Sequence, residues 1–230
     1  MRILGIIPAR GGSKGIAKKN IKKINGLPLI VYTIKQAQQS KFLENTIIST
    51  DDPEIAKCAQ KFGGNIPFLR PIELATDTTK SEELVIHAIK HFKKLGVEYQ
   101  AVCLLQPTSP YRPSGVIDAA IAKFIKNPKN SLISVRRVPD HYNPYWTFKK
   151  TNGGLQPTID KNIVTRRQDL PETFHRDGAI YICRTETLMK SKSFYTKYLT
   201  SYEITSPELI NIDKPEDWIV ATKYINLSIV

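Results

Sequence analysis

Cysteine is scarce in this chain of 230 residues, and Cys58, Cys103 and Cys183 show neither CxxC spacing nor a zinc-ligand pattern. Three widely spaced cysteines argue against a disulfide framework and favour reduced thiols in the core of a cytoplasmic protein. No apolar run is long enough to cross a membrane, and the first apolar stretch ends at Pro8 and Arg10, which does not fit a signal peptide. With 41% hydrophobic residues, the chain can nevertheless bury a sizeable core. We therefore predict a cytoplasmic globular protein without a membrane partner.

Acidic residues are absent from the first 43 positions, which carry nine lysines and arginines. The whole chain has 34 basic and 21 acidic residues, a formal net charge of +13. Such an excess favours a polyanionic partner: nucleic acid, an anionic membrane or a phosphorylated small molecule. Binding of nucleic acid would require basic residues interleaved with aromatics, and residues 142–150 form the single stretch of that kind. We therefore predict a phosphorylated small molecule and no nucleic acid.

Familiar catalytic and metal signatures are also missing. The chain has no Walker A loop, no G-x-G-x-x-G fingerprint and no G-x-S-x-G nucleophile elbow. His87 and His91 lie four residues apart on a predicted helix, but no third zinc ligand is near them in the sequence. Asp51 and Asp52 match the D-x-D metal motif of glycosyltransferases poorly, because they are adjacent and precede a proline. A nucleotide-sugar glycosyltransferase therefore stays an alternative that the sequence supports weakly.

Short apolar runs alternate with segments of helical periodicity along most of the chain. This alternation predicts an α/β fold in which a mostly parallel, Rossmann-like sheet carries helices on both faces. Between residues 139 and 174 the pattern changes to aromatics and a Gly-Gly turn, which predicts an inserted arm within a single domain spanning residues 1–230. The predicted strands cover residues 2–8, 46–49, 66–69, 101–105, 131–135, 179–183 and 208–212, and the predicted helices cover residues 29–39, 54–62, 81–95 and 114–126 and a segment that begins at Pro215.

Polar clusters follow three of the predicted strands, in the order ARGGSKG, STDD and QPTSPYR. Ligands of parallel sheets bind outside the carboxyl ends of the strands, so these clusters are expected to converge. In the first cluster, glycines let backbone N–H groups approach a phosphate, while Arg10, Lys14 and Lys19 add positive charge and Ser13 a hydroxyl. Residues 9–26 are too rich in glycine and lysine to pack a core, so we predict a phosphate-binding loop.

The sequence ARGGSKGIAKKN resembles the first signature of the N-acylneuraminate cytidylyltransferases, which make CMP-sialic acids. The segments IISTDD, FLRPIELATDTTKS, LLQPTSPYR, RRQDLP, GAIYI and INIDKPEDW follow in the order of that family, so the resemblance covers nearly the whole chain. It implies a nucleotidyltransferase, usually a homodimer, that joins CTP to a nine-carbon acidic sugar and releases pyrophosphate. The 3-deoxy-manno-octulosonate synthetases are less similar, because they lack GGSKG.

The resemblance also implies roles for individual residues around the nucleotide. The expected nucleotide-binding residues are Arg10, Ser13, Lys14, Lys19, Asn20, Arg70 and Ser81. Among them, Arg70 matches a position associated with the cytosine and Ser81 a hydroxyl near the ribose. Arg10, Lys19 and Asp213 are the expected catalytic residues.

For the sugar, the resemblance implies a second set of residues. These are Gln106, Arg166, Arg167, Gln168 and Tyr181. An amide at Gln106 can hydrogen-bond a sugar hydroxyl or carboxylate in two directions. Because the arm belongs to the dimerisation region in this family, its arginines and Gln168 are expected to serve the partner's site.

Magnesium is the expected cofactor, with Asp213 as the expected ligand. The family motif is Asp-Ile-Asp, whereas this chain has Asn211-Ile212-Asp213, and asparagine offers an oxygen without charge. A second departure is the block Phe174-His175-Arg176-Asp177-Gly178, where the family has Phe-Arg-Pro-Asn-Gly. The displaced arginine and added carboxylate leave legionaminic and pseudaminic acids open as substrates beside N-acetylneuraminate.

Overall fold

The computed structural model describes residues 1–126, 130–159, 163–206 and 210–223. Its central sheet has six strands in the spatial order β10-β6-β9-β5-β1-β4. They are β1 (Ile3–Pro8), β4 (Asn45–Ser49), β5 (Ala101–Leu105), β6 (Ser131–Arg137), β9 (Phe174–Arg184) and β10 (Leu199–Glu203). Parallel pairing joins β1 with β4 and β5, and β6 with β10, whereas β9 runs antiparallel to β5 and β6. The predicted mostly parallel sheet is thus confirmed.

Helices cover both faces of this sheet, as the alternation of strands and helices predicts. The helices are α1 (Leu29–Gln38), α2 (Pro53–Gln60), α3 (Ser81–Lys94), α4 (Val116–Lys126), α5 (Thr185–Ser191) and α6 (Pro215–Lys223). One apolar layer packs α1, α2 and α4 against alternate strand residues such as Ile3 and Cys103. The opposite layer packs α3 and α5 against the intervening residues, such as Leu4 and Val102. Because successive side chains of a strand point to opposite faces, each buried strand contributes side chains to both apolar layers.

The cysteines lie where a core position predicts them. Cys103 and Cys183 are buried, Cys58 is half-buried, and all three are free thiols. Burial raises the pKa of the Cys103 thiol to about 12, so this side chain is a packing group and not a nucleophile.

A third apolar cluster connects the two ends of the chain and corrects one prediction. Ile16 and Ile24 are buried against Trp218 of α6 and against the aromatic ring of Tyr32. The segment 9–26 was predicted not to pack a core, and this is wrong because Ile16 and Ile24 are buried and anchor the loop. Lys23–Ile24 (β2) and Leu27–Pro28 (β3) form a two-stranded hairpin at its end.

Two other predicted strands differ in the structure. Residues 66–69 form no regular strand; an isolated bridge pairs Leu69 with Thr50, and Ile66 and Phe68 pack against the core. The predicted strand 208–212 lies partly outside the described residues, and residues 210–212 are irregular.

The predicted arm contains short helical turns and a hairpin of β7 (Phe148–Thr151) and β8 (Gly154–Pro157). Its chain returns to the sheet through β9, which begins at Phe174. Large apolar side chains in this region are exposed: Tyr142, Phe148, Leu155, Ile163 and Phe174. Across the described residues, no helix has the length and apolar character needed to span a bilayer.

Candidate active site

A cleft of about 340 Å³ opens at the carboxyl ends of β1 and β5. The loop after β1, the segment 70–81 and the loop after β5 form its walls, as expected for a ligand site of a parallel sheet. All seven residues predicted to bind the nucleotide line it, together with two others that the sequence singled out. These nine are Arg10, Ser13, Lys14, Lys19, Asn20, Arg70, Ser81, Gln106 and Asp213.

The loop after β1 is held in place by side chains beneath it. Buried Asn20 donates its Nδ2 to the carbonyl oxygen of Arg10 at 3.0 Å, and the backbone N–H of Gly11 donates to Asp51 Oδ1 at 3.2 Å. Asn20 therefore acts on the loop from below, and Asp51 ties the second polar cluster to the first. These bonds leave Arg10 and Lys14 directed toward the cleft.

Gly15 allows the loop to approach the C-terminal part of the chain. A Cβ atom placed on Gly15 would overlap the carbonyl oxygen of Asp213. The same loop sends the Lys19 ammonium to the carbonyl oxygen of Ile212 at 2.8 Å and to the Asp213 carboxylate at 3.1 Å. Backbone contact and ion pair together place Asp213 at the cleft.

Arg70 is a buried cation, and some of its N–H groups donate no hydrogen bond within the described residues. The residue is 5% exposed, yet within the part of the chain that the structure describes its Nε and Nη2 atoms have no hydrogen-bond partner. The nearest carboxylate oxygen, Asp51 Oδ1, is 3.6 Å from Nη2, which gives charge compensation without a hydrogen bond. Burial lowers the pKa of Arg70. Buried N–H groups without partners are costly, so this guanidinium on the cleft wall is suited to an acceptor-rich ligand.

Ser81 and Gln106 lie side by side on the lining of the cleft. Ser81 is the first residue of α3, and its hydroxyl accepts from Gln106 Nε2 at 3.4 Å. Ser81 is therefore not the N-cap residue, a position that Lys80 takes. Both side chains are polar groups on the same wall, which brings the expected ribose and sugar contacts together.

Arg112 is a buried arginine with the opposite character to Arg70. Its guanidinium donates to the carbonyl oxygens of Gln106, Ser109 and Ala179 at 2.5, 2.7 and 2.9 Å, and to the hydroxyl of Thr33 at 3.1 Å. Burial lowers its pKa to about 10. Arg112 therefore fixes the loop that carries Gln106. Arg112 lies in the segment LLQPTSPYR, but no role was predicted for it, because nothing in the sequence marks it as buried.

Asp77 lines the cleft, although the sequence analysis assigned it no role. Its two carboxylate oxygens lie 2.7 Å from Arg10 Nη1 and 2.7 Å from Lys14 Nζ. The hydrogen bonds from Lys14 and Arg10 hold the pKa of this carboxyl below its usual range. The sequence TDTT is typical of an exposed polar turn, and nothing in it indicates that the turn folds back onto the loop after β1.

The predicted metal ligands are adjacent in the structure. Asn211 Nδ2 donates to Asp213 Oδ2 at 2.8 Å, so the asparagine offers this carboxylate a donor. Among the residues described, no group of three or more His, Cys, Asp or Glu side chains is arranged to hold a metal ion. Magnesium is commonly held by one or two carboxylates together with substrate phosphates, and Asp213 on the cleft wall fits that type of site.

The other candidates for metal ligands have structural partners. Asp52 caps α2 by accepting from the N–H groups of Glu54 and Ile55. His87 and His91 both pack their rings against Phe68, at centroid distances of 4.7 and 4.6 Å. The histidine pair therefore takes part in aromatic packing.

The remaining residues predicted for the sugar do not line this cleft. Arg166, Arg167 and Gln168 are exposed in the arm, where Arg166 pairs with Asp169 at 2.7 Å. Tyr181 is buried in β9 and packs against Phe194 at a centroid distance of 5.6 Å. Within one chain the structure thus brings together the predicted nucleotide residues and Gln106 but not the arm residues.

Residues 174–178, the block that departs from the family pattern, have a structural role in the sheet. Asp177 is buried and its Oδ1 accepts hydrogen bonds from the Ser134 hydroxyl and from the N–H of Ala179, the latter at 2.9 Å. Arg176 extends to the surface, where it donates to the hydroxyl of Tyr195 at 3.1 Å. The added carboxylate is thus bound by protein groups where pairing between β6 and β9 shifts register.

The sheet order, the glycine loop and the cationic cleft define a nucleotidyltransferase. Residues 4–218 match the family model described as cytidylyltransferase, and the chain belongs to that family. It is 35% identical to CMP-N,N'-diacetyllegionaminic acid synthase of Legionella pneumophila, over 99% of this chain and 98% of the relative. It is 30% identical to pseudaminic acid cytidylyltransferase of Campylobacter jejuni, over 94% of this chain and 93% of the relative.

The fold is also similar to solved structures of low sequence identity. Alignment with CMP:2-keto-3-deoxy-manno-octonic acid synthetase, solved with CTP, gives a TM-score of 0.75 at 17% identity over 98% of this chain and 99% of the other. The predicted family and fold class are thereby confirmed.

Proposed function

We propose that this enzyme transfers the cytidylyl group of CTP to a nine-carbon acidic sugar, releasing pyrophosphate. The observation that carries the proposal is Arg70, a buried cation on the lining of the cleft. Its Nε and Nη2 atoms have no hydrogen-bond partner among the described residues, and the cationic loop lines another side of the cleft. Arginine N–H groups of this kind match the oxygens of a nucleotide. The relatives named for legionaminic and pseudaminic acids support the acidic sugar.

The reaction requires positioning and charge neutralisation more than covalent chemistry. The anomeric hydroxyl of the sugar loses its proton to solvent, and its oxygen attacks the α-phosphorus of CTP. The new P–O bond forms as the bond from the α-phosphorus to the oxygen that bridges to the β-phosphate breaks, and pyrophosphate leaves in line with that oxygen. Arg10, Lys14 and Lys19 reach the cleft from one loop and are suited to the negative charge on the leaving pyrophosphate. Gln106, part-buried near Ser81, is placed to hydrogen-bond the sugar.

Magnesium is part of this proposal, with Asp213 as its protein ligand. The ion would lower the charge on the triphosphate and stabilise the leaving group. Asp213 would supply one carboxylate and the phosphates the remaining oxygens, while the Asn211 amide orients Asp213 by its hydrogen bond at 2.8 Å.

A homodimer is the proposed form of the enzyme. Support comes from the arm, residues 139–174, where five large apolar side chains are exposed. Single exposed apolar residues are normal on a protein surface, whereas a group of them is typical of an interaction surface. In a dimer the arm would deliver Arg166, Arg167 and Gln168 to the partner's cleft, with their guanidinium groups toward the sugar carboxylate. Mixing an Arg167→Ala protein with an Asp213→Asn protein should restore activity if the two residues act across subunits. No recovery from mixed dimers would contradict the shared site.

The test of the function is pyrophosphate release with CTP across a panel of acid sugars. The panel contains N-acetylneuraminic, N,N'-diacetyllegionaminic and pseudaminic acids, with the eight-carbon 3-deoxy-manno-octulosonate as control. We expect release to require magnesium and one of the nine-carbon acids, in the cytoplasmic pH range. Release with the eight-carbon acid but none of the nine-carbon acids would contradict the proposal.

A further inference from the structure

Asp77 makes a bridge across the mouth of the cleft. Its Oδ1 pairs with Arg10 at 2.7 Å and its Oδ2 with Lys14 at 2.7 Å, so each oxygen is engaged by one cation of the glycine loop. Asp77 belongs to the opposite wall, which leads from Arg70 to Ser81. The bridge therefore neutralises two cations that the proposed function assigns to phosphates.

The surroundings of Asp77 allow it to move. Its side chain is 40% exposed, and the turn before α3 consists of exposed polar residues held by short-range hydrogen bonds such as Thr76 Oγ1 to Thr79 Oγ1 at 2.7 Å. Ile72 in the same segment is 73% exposed. Segments with few buried apolar contacts open at low free-energy cost, so the bridge can break without disturbing the core.

A carboxylate and a triphosphate cannot share these two cations favourably. Both groups are anions that accept hydrogen bonds. Arg10 and Lys14 form their strong, charge-assisted hydrogen bonds with the anion that is bound. Ion pairs exposed to this extent contribute little to stability, so the triphosphate, with its higher charge, displaces the carboxylate. When the triphosphate leaves, Asp77 can pair with the two cations again.

We propose that Asp77 is a competing counter-ion that the triphosphate displaces and that returns as pyrophosphate leaves. The proposal rests on the proposed function, because it assigns Arg10 and Lys14 to the phosphates. Asp77 would lower the affinity of the cleft for CTP and for pyrophosphate, and so limit product inhibition. It is a residue that acts through Arg10 and Lys14 and does not itself touch the reacting atoms.

The test compares Asp77→Asn with Glu73→Gln in the full-length protein. Glu73 lies in the same exposed segment, does not line the cleft and loses the same charge, so it controls for the general field. Calorimetry with inorganic pyrophosphate in metal-free buffer should show Asp77→Asn binding about 3- to 10-fold more tightly, the range that one or two partly exposed ion pairs allow. Glu73→Gln should bind as the wild type does, and equal melting temperatures will show that both variants fold.

Kinetics provide a second readout. In Asp77→Asn the KM for CTP and the inhibition constant of pyrophosphate should fall together, whereas Asp77→Glu, which keeps the carboxylate, should stay near the wild type. Weaker or unchanged pyrophosphate binding in Asp77→Asn would overturn the proposal, and so would a raised magnesium requirement, which would make Asp77 a metal ligand. The binding experiment needs no sugar, so a wild type that binds pyrophosphate but turns over none of the panel would refute the function and not the counter-ion.

Discussion

The ammonium of Lys19 lies 3.1 Å from the carboxylate of Asp213, although 194 residues separate the two in the chain. Lys19 also donates to the carbonyl oxygen of Ile212 at 2.8 Å, so the first polar loop and the C-terminal block form one wall of the cleft. The pair places a cation for phosphate beside the carboxylate proposed for magnesium. Charge on either residue therefore affects the other.

Removing the charge of Asp213 tests the proposed metal ligand. Asp213→Asn should lower kcat by about tenfold or more and raise the magnesium concentration for half-maximal rate, since losses of this size follow damage to a metal's ligand set. Asn211→Asp should lower the magnesium requirement, because it adds a second carboxylate beside Asp213. An unchanged magnesium titration in Asp213→Asn would place the metal elsewhere.

Adding one methyl group at Gly15 should separate the two ends of the cleft wall. Gly15→Ala places a carbon against the Asp213 carbonyl oxygen, and overpacking of this kind costs about 1–3 kcal/mol. Gly12→Ala is the matched control for stability, because nothing lies within 4 Å of a Cβ atom there. We expect lower melting temperature and lower kcat/KM for Gly15→Ala. Equal melting temperatures for the two variants would contradict the contact.

The two buried arginines should respond differently to replacement by methionine. Arg70→Met removes two groups, Nε and Nη2, that have no hydrogen-bond partner among the described residues, but it also removes the cation beside Asp51. It should therefore destabilise the fold less than Arg112→Met does, while the KM for CTP increases at least ~10-fold. Arg112→Met removes the guanidinium that donates to the carbonyls of Gln106, Ser109 and Ala179, which should cost on the order of 3 kcal/mol. Chemical denaturation measures both values. Comparable destabilisation by the two substitutions would contradict the distinction.

His87 should make the fold less stable at mildly acidic pH. Burial lowers the pKa of His87 from 6.5, so the unfolded chain takes up this proton first as the pH falls. The free energy of unfolding should therefore decrease as pH falls from about 7.5 through 6.5 toward the lowered native value. His87→Gln cannot titrate and should show a shallower decrease, with His91→Gln on the same helix as control. Identical slopes for His87→Gln and wild type would refute this origin.

The sequence predicts those parts of the fold that hydrophobic burial determines. Runs such as residues 101–105 are buried on both faces, and their apolar continuity marks them as central strands. The edge strand Leu199–Glu203 has largely exposed or half-exposed side chains and no such continuity, so it was not predicted. The antiparallel direction of β9 depends on how the arm returns to the sheet, which no local pattern specifies.

The site follows a similar division. Residues adjacent to strand ends, such as Arg10 and Gln106, were predicted to converge because chain order places them at one edge of the sheet, and the family resemblance implied their roles. Asp77 pairs with Arg10 and Lys14, and Arg112 donates to Thr33 and Ala179. These partners lie more than 60 residues away in the sequence, so no local pattern indicates the contacts. The arm residues Arg166 and Arg167 stay predictions, because their proposed roles require a second subunit.

The central claim is cytidylyl transfer, and ³¹P NMR of a single reaction mixture tests it most directly. With CTP, magnesium and the preferred nine-carbon acid, we expect one phosphodiester signal of a CMP-sugar and one equivalent of pyrophosphate for each CTP consumed, and no reaction when the sugar is left out. Formation of CDP and inorganic phosphate, or of CMP and pyrophosphate without a sugar phosphodiester, would contradict the account.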